Sequence, residues 1–297
     1  MGKLMALDRS MFTLVCRPAL PKDTPDVLEL CSRIWDGDDY VPYVWDEWLA
    51  DREGLLAVAE YGGRVVGLYK LSRLTECDGW LSGLRVHPDF EGRRFASHLH
   101  DYMLAYWRRH GKGVLRLATS SKRIAVHRMC ARTGFAKVAE FTAYQAVPIP
   151  EPVGSFTPVT LPEAPQALAL ALASQGLELA SGLIDLSWEY SASHISLFED
   201  SINRGKAWWW RGRQGLVMLV DDKEDEKPAP YLQLVAAPLK EMAACLLDAR
   251  RLVGQLGYHN LGWMAPLRPE LAPALERAEF ERNWDSSLYV FEQKGLV

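Results

Sequence analysis

No run of apolar residues in the 297-residue chain approaches the roughly 18 that a membrane-spanning helix needs. Residues 1–12 also lack the hydrophobic core of a secretory signal. These two absences argue against a membrane or exported protein, and a cytoplasmic location is expected. Cysteine is scarce and unpatterned: Cys16, Cys31, Cys77, Cys130 and Cys245 are odd in number and show no CxxC spacing. Neither a zinc site nor a disulfide framework is expected, no metal is invoked, and reduced thiols are the default. Positive charge is not in excess, because the formal net charge is −4. A nucleic-acid partner would ordinarily require a basic face or stripe. With 48% apolar and 24% charged residues the composition is that of an ordinary globular protein, and the length suggests two domains.

What is present begins with the string LRVHPDFEGRRFA at residues 84–96. An apolar strand runs into Pro88, a short basic loop containing Gly92 follows, and residues 97–110 repeat apolar side chains at Leu99, Met103, Tyr106 and Trp107. This order puts a helix N-terminus beside a strand end. Free N–H groups of the first turn, the positive end of the helix dipole and two arginines would converge on a phosphate-sized volume. A strand, a basic turn and a helix also occur without any ligand, and one Gly-containing turn is weak evidence. The continuation adds weight: Gly111 and Gly113 end the helix, 114–118 reads as a buried strand, and a helix over 124–133 stops at Gly134-Phe135.

Pro148, Pro150, Pro152, Gly154, Pro158, Pro162 and Pro165 crowd the middle of the chain, which predicts a linker over 148–165. Before it, Val27, Leu28, Leu30, Cys31 and Ile34 mark a helix face. Residues 55–60 and 65–71 read as strands joined at Gly62-Gly63, and 80–86 as the strand entering the basic loop. After the linker the order returns: a hairpin over 207–220, a strand at 231–236, a helix at 238–256, a strand at 259–264, a helix at 269–278 and a strand at 287–291. The expected layout is an N-terminal extension (1–11), a first domain (12–147), the linker, and a degenerate copy (166–297). The copy has no glycine and one cation in its string from Pro238 to Ala243, so it should not bind the same anion. Trp208-Trp209-Trp210 fits a strand covered on both faces, and the run 221–227 a solvated hairpin loop.

Residues 84–135 resemble the GNAT N-acetyltransferase superfamily, whose pattern is V-x-P, then Q/R-x-x-G-x-G/A, and later N-x-x-A-x-x-L-Y-x-x-x-G-F. Val86, Pro88, Ala96, Met129, Gly134 and Phe135 match it. The resemblance implies an α+β GNAT acyl-CoA N-acyltransferase fold in two tandem copies, with acetyl-coenzyme A as cosubstrate and no metal. It implies that the coenzyme lies on Leu84, Arg85, Val86, Glu91, Gly92, Arg93, Arg94, Phe95, Ala96, Ser97 and Arg123. Four departures touch chemistry: Glu91 stands at the pattern's Gln or Arg, Arg94 at its central Gly, Arg123 at its Asn and Cys130 at its Tyr. Glycine lets a backbone approach a pyrophosphate closely. Arg94 is therefore expected either to take an ordinary helical φ with its side chain turned aside or to contact a phosphate itself. Glu91 would repel a phosphate unless Arg85, Arg93 or Arg94 offsets it.

A second string, IWDGDDYVP at 34–42 followed by Trp48-Leu49, supplies candidate acceptor contacts at Asp36, Asp38, Asp39 and Tyr40. In this fold such a loop sits over the acceptor cleft, and carboxylates there would attract a cationic amine. The simpler alternative is that the aspartates cap turns. Together with Gly83-Leu84-Arg85-Val86 and the two-copy layout, the string resembles the histidine N-acetyltransferase group, which implies acetylation of a free amino acid or related small amine. The family's base position holds Ser82, leaving Glu76, Asp78, Asp36, Asp38 or Asp39 to act through water. A backbone N–H near Leu84 to Val86 would hold the thioester carbonyl oxygen. Cys130, His127 and Tyr144 are the candidates to protonate the leaving thiolate, each with a packing role as its alternative. The expectation is an N-acetyltransferase for a small amine, monomeric or homodimeric. The competing readings are a catalytically weak acyl-CoA sensor, suggested by Ser82, Arg94 and Cys130, and a protein or peptide N-acetyltransferase.

Overall fold

The computed structural model describes residues 13–152, 154–221 and 229–295; the expected extension over 1–11 and the charge run 222–227 lie outside the described residues. Two compact units form. Among the described residues, the first holds 13–117, 129–135 and 293–295, and the second holds 118–128 and those of 136–292.

The first half of the chain runs β1 (Val15–Pro18), α1 (Thr24–Ser32), α2 (Val41–Ala50), β2 (Leu55–Tyr61), β3 (Arg64–Thr75), β4 (Asp78–Val86), α3 (Phe95–His110), β5 (Val114–Ser120), α4 (Ile124–Thr133) and β6 (Ala136–Ala146). In the first unit the strand order is β1-β2-β3-β4-β5, antiparallel except for the parallel pair β4–β5. Gly62 and Gly63, at φ 63° and 77°, close the β2–β3 hairpin, since a tight hairpin turn of this hand needs two positive φ values. Val65 to Leu71 of β3 are buried without alternation, because helices cover both faces. Val27, Leu30 and Trp45 of α1 and α2 pack on Leu56, Val58 and Leu68. Gly67 faces the other way, and a Cβ there would meet Leu99 of α3 at 3.1 Å. Leu99, Met103, Leu104 and Trp107 form the buried stripe of α3.

Two irregularities shape the C-terminal half of β4. Lys70 lies opposite Ser82 and Leu68 opposite Arg85, so β4 carries one residue more than β3 across this step. Gly83, at φ 68°, takes up the excess as a bulge. On the other side, the parallel ladder spans only Asp78–Leu81 and Val114–Leu117, although β4 runs on to Val86.

The second half runs β7 (Phe156–Pro158), α5 (Ala164–Leu172), α6 (Gln175–Leu179), β8 (Leu183–Asp185), β9 (Tyr190–Ala192), α7 (Ile195–Asn203), β10 (Ala207–Trp210), β11 (Gly215–Asp221), β12 (Pro230–Ala236), α8 (Met242–Gln255), β13 (Leu261–Pro266), α9 (Ala272–Arg277), β14 (Glu281–Arg282) and β15 (Leu288–Lys294). The order hairpin, strand, helix, strand, helix, strand is therefore repeated. In the second unit the strands run β15-β6-β13-β12-β11-β10-β7, with β14 also pairing β6. Trp208 and Trp210 enter one core with α8 and α9, and Trp209 enters the core formed with α5 and α7.

Strand β6, which the sequence groups with the first domain, pairs antiparallel with β13 and β15 inside the second unit. Conversely, the Gln293 side chain donates to the Thr133 carbonyl and the Gly295 N–H to the Gly113 carbonyl within the first unit (2.5 and 2.7 Å). The segment read as a linker contains β7, a three-residue strand on the edge of the second unit's sheet, where proline is tolerated.

His100 of α3 is fully buried between Tyr69 and Phe135. Its Nε2 donates to the Thr133 hydroxyl (3.0 Å), which itself donates to the Met129 carbonyl. Burial draws its pKa from 6.5 down to about 4, with Asp101 opposing and Arg132 assisting the fall. The unfolded chain protonates this histidine first as pH drops. The stability it contributes is thus complete above pH 6.5 and lost progressively toward pH 4, by about 3 kcal/mol in all. Urea unfolding of His100→Gln is expected to show a shallower decline across that window; an unchanged slope excludes this residue as the cause.

Candidate active site

The basic loop is built by three successive backbone devices. Pro88–Phe90 makes a single tight turn, with His87 accepting the Asp89 N–H through Nδ1 (3.2 Å). His87 is itself buried, with Nε2 3.3 Å from Glu29. Gly92 follows at φ 75°, where a Cβ would point into open space, and Arg94 then turns left-handed at φ 65° to become the N-cap of α3. Phe95 locks the helix start by packing against Tyr61 and Phe90, with ring centroids 5.2 and 6.1 Å away. The first internal bond of α3 runs from the His98 N–H to the Arg94 carbonyl (3.1 Å). Phe95, Ala96 and Ser97 therefore have no acceptor within the helix for their N–H groups. Glu91, Arg93 and Arg94 are exposed beside them, with Arg93 lying 5.2 Å over the Phe90 ring.

Arg94 does not take the ordinary helical φ that was one of the two expectations for it. It keeps the backbone of the glycine it replaces, at a cost of roughly 1–2 kcal/mol for a side-chain-bearing residue. The turn into α3 therefore has the left-handed backbone that glycine adopts freely, with an exposed cation at the helix start.

Arg85 and Asp39, assigned from sequence to coenzyme and acceptor respectively, instead bind each other. Arg85 donates from Nε and Nη2 to the two carboxylate oxygens of Asp39, at 2.9 and 3.0 Å. The Asp39 side chain is 0% exposed. Asp39 also accepts from the Val41 N–H (3.2 Å), and burial together with that carboxylate raises the Cys31 thiol to about 12. Both oxygens of the Asp39 carboxylate are thus engaged, and neither is open to solvent. The Arg85 guanidinium lies over the rings of Trp35 and Tyr40 at 4.4 and 5.2 Å. Asp36 and Asp38 remain exposed on the same loop, where Trp35, Asp36 and Gly37 are consecutively left-handed at φ 48°, 57° and 91°. Consecutive residues in this region are strained unless their surroundings over-determine them.

Leu84 and Val86 flank Arg85 on the bulged stretch of β4, half-buried. Trp48, named in the sequence only as the end of the acidic string, covers the bulge: a Cβ on Gly83 would meet its ring at 2.5 Å. Tyr40 meets Trp48 edge-on at 6.0 Å. An isolated glycine within a strand was the available signal.

The proton-transfer candidates each have partners within their own unit. Cys130 is buried in the first unit and burial raises its thiol to about 12. It is a weaker acid than an ordinary thiol of about 8.5 and is a poor donor to a leaving thiolate. His127 belongs to the second unit, where its Nε2 donates to the Ser120 carbonyl (3.1 Å) and its ring stacks on Tyr289 at 5.1 Å. Tyr144 lies on β6 and packs against the second unit's core, and Arg123 is exposed in the turn before α4. Glu76 pairs with Lys112 at the β3–β4 turn (3.2 Å). Asp78 is buried against Arg116 (2.5 Å) at the start of β4, about 13 Å of strand before Ser82.

The second unit shows the same frame without the cradle. Here α8 follows its tight turn at once, with no counterpart of residues 91–94, and the Leu239 N–H is taken by Gln175 Oε1 (3.0 Å). The β12–β13 ladder is a single pair, Tyr231 with Gly262. Tyr190, fully buried and stacked on Phe141 at 4.5 Å, lines the space beyond it with Gln233 and Trp263, and leaves a void of about 20 Å³, the size of one water.

Residues 24–135 match the model of the Acetyltransferase (GNAT) family. No curated protein sequence matches the chain. A GCN5-related N-acetyltransferase from Sphaerobacter thermophilus superposes with a TM-score of 0.64 at 13% identity, over 95% of this chain and 97% of its own. One from Kribbella flavida gives 0.56 at 15%, over 97% and 72%. A tandem GNAT protein of the clavulanic acid biosynthesis pathway gives 0.58 at 12%, over 95% and 98%. The fold is of the GNAT type, laid down twice, and the family match falls on residues 24–135 of the 297. No helix among the described residues is long and apolar enough to cross a membrane.

Because glycine adopts a left-handed φ without penalty, Arg94→Gly is expected to raise the unfolding free energy by up to about 1 kcal/mol. The check is a higher urea midpoint at unchanged slope; a lower midpoint would show that the Arg94 side chain stabilises the loop in the free protein.

Proposed function

We propose that the chain transfers the acetyl group of acetyl-coenzyme A to the amine of a small molecule, a free amino acid or a related amine. The observation that carries the donor half is the run from Gly92 to Ser97. Two left-handed residues aim a helix N-terminus outward between two exposed arginines, a donor set suited to a pyrophosphate. The separation of β4 from β5 after Leu81 suits a pantetheine arm lying along the strand, with its thioester near the Gly83 bulge. Backbone N–H groups of that stretch would hold the carbonyl oxygen and stabilise the oxyanion that forms there.

The amine must attack as the neutral base. Ser82 supplies no carboxylate and Asp39 is committed to Arg85, so Asp36 or Asp38 acting through water is the remaining acidic route. The nitrogen adds to the carbonyl carbon to give that oxyanion, loses its extra proton to water, and collapse of the adduct then breaks the C–S bond. The departing thiolate belongs to an ordinary thiol, so it leaves without a side-chain acid and takes its proton from solvent. The exposed acidic loop favours a cationic acceptor, such as a free amine, over a neutral peptide chain.

Incubation with acetyl-coenzyme A and a panel of amino acids, polyamines and aminoglycosides is expected to release free thiol with at least one acceptor. Coenzyme-induced thermal stabilisation without turnover on any of them would replace this reading with a sensing role. Calorimetric titration is expected to find one coenzyme per chain, because the second unit lacks the loop and has Tyr190 in the splay. Arg94→Glu should weaken that binding tenfold or more, about 1.4 kcal/mol, while two coenzymes per chain would contradict the assignment of the second copy.

A further inference from the structure

We infer that Trp48 and the Arg85–Asp39 pair are positioning residues that together hold the β4 bulge in the conformation that polarises the thioester carbonyl. The inference rests on reading the donor side as an acetyl-coenzyme A site.

The bulge is a local excess of one residue opposite β3, and nothing in its own ladder fixes which way the excess peptide faces. Two contacts from outside the strand do so. The first is the Trp48 ring of α2, seated where any side chain on Gly83 would lie, at 2.5 Å from its ideal Cβ, with the Tyr40 hydroxyl 3.7 Å from the same point. The second is the planar fork of Arg85, two residues beyond Gly83, bonded at both ends to a carboxylate with no exposure to solvent. A bidentate pair fixes orientation as well as distance.

These contacts also reach the acceptor-side loop. Trp35, the first of three consecutive left-handed residues, is held under the same guanidinium at 4.4 Å, and Tyr40 joins Arg85 to Trp48 by touching both. One cluster therefore sets the peptide that would meet the carbonyl oxygen and the loop that would meet the amine. The contacts of Trp48, Arg85 and Asp39 run to one another's elements and to the bulge, so coenzyme affinity should be nearly independent of them.

Difference infrared spectroscopy with acetyl-coenzyme A and its carbonyl-carbon-13 form tests this without knowledge of the acceptor. The wild-type protein should lower the thioester carbonyl frequency on binding. Trp48→Ala and Asp39→Asn should bind with dissociation constants within about twofold of wild type and lose that shift. Trp48→Phe keeps an aromatic ring in α2 but ends short of Gly83, and should lose it too. Retention of the shift in these variants overturns the clamp alone, as does a wild-type complex with no shift. Loss of coenzyme affinity along with the shift assigns these residues to stability and equally overturns it. Failure of the wild-type protein to bind acetyl-coenzyme A overturns the acetyl-transfer reading itself.

Discussion

Two parallel strands that stop pairing after four residues impose the constraint on which the first unit depends. Beyond Leu81, β4 has no β5 partner in the ladder, so its peptide groups must be satisfied or oriented by something else. The Gly83 bulge, the ring of Trp48 above it and the Arg85 fork beside it are the means. The basic loop then continues directly from that strand. Its left-handed Gly92 and Arg94 bring α3 back at the angle that presents its first turn. Strand, bulge, loop and helix form one continuous path.

Charge is distributed along this path by burial. Arg85 and Asp39, with side chains 10% and 0% exposed, neutralise one another. Arg93 and Arg94 stay exposed. Lys70, also buried, is held by Asp51 and the Leu71 carbonyl on the neighbouring strand. Burial of Asp51 works against its ionisation, but the Lys70 ammonium and the Glu53 and Gly54 N–H groups outweigh it and hold the carboxyl below its usual range. The second unit uses the same frame differently: a side-chain amide oxygen answers the helix N-terminus and a tyrosine occupies the splay.

Element order and the tandem layout were legible because hydrophobic period and turn residues are local signals. The loop was legible for the same reason, through Pro88, Gly92 and the stripe of α3. The partners of long-range contacts were not. Nothing near Asp39 in sequence announces Arg85, 46 positions away, so Asp39 was grouped with the exposed Asp36 and Asp38 of its string. Cys130 matched the position of a family acid, but its acidity is set by the core around it. Strand β6 carries no local mark of its pairing with β13. The two edges of a strand differ only in what happens to lie beside them.

The return of residues 293–295 to the first unit has a consequence for biosynthesis. Gly295 donates to the Gly113 carbonyl, and Gln293 to that of Thr133. These bonds cannot form until more than a hundred further residues have been polymerised, a wait of roughly 10–40 s at about 5–20 residues per second. Throughout that interval the ribosome holds a nascent chain whose first unit lacks these contacts. A chaperone that shields unpaired strand edges would find its longest-lived substrate there.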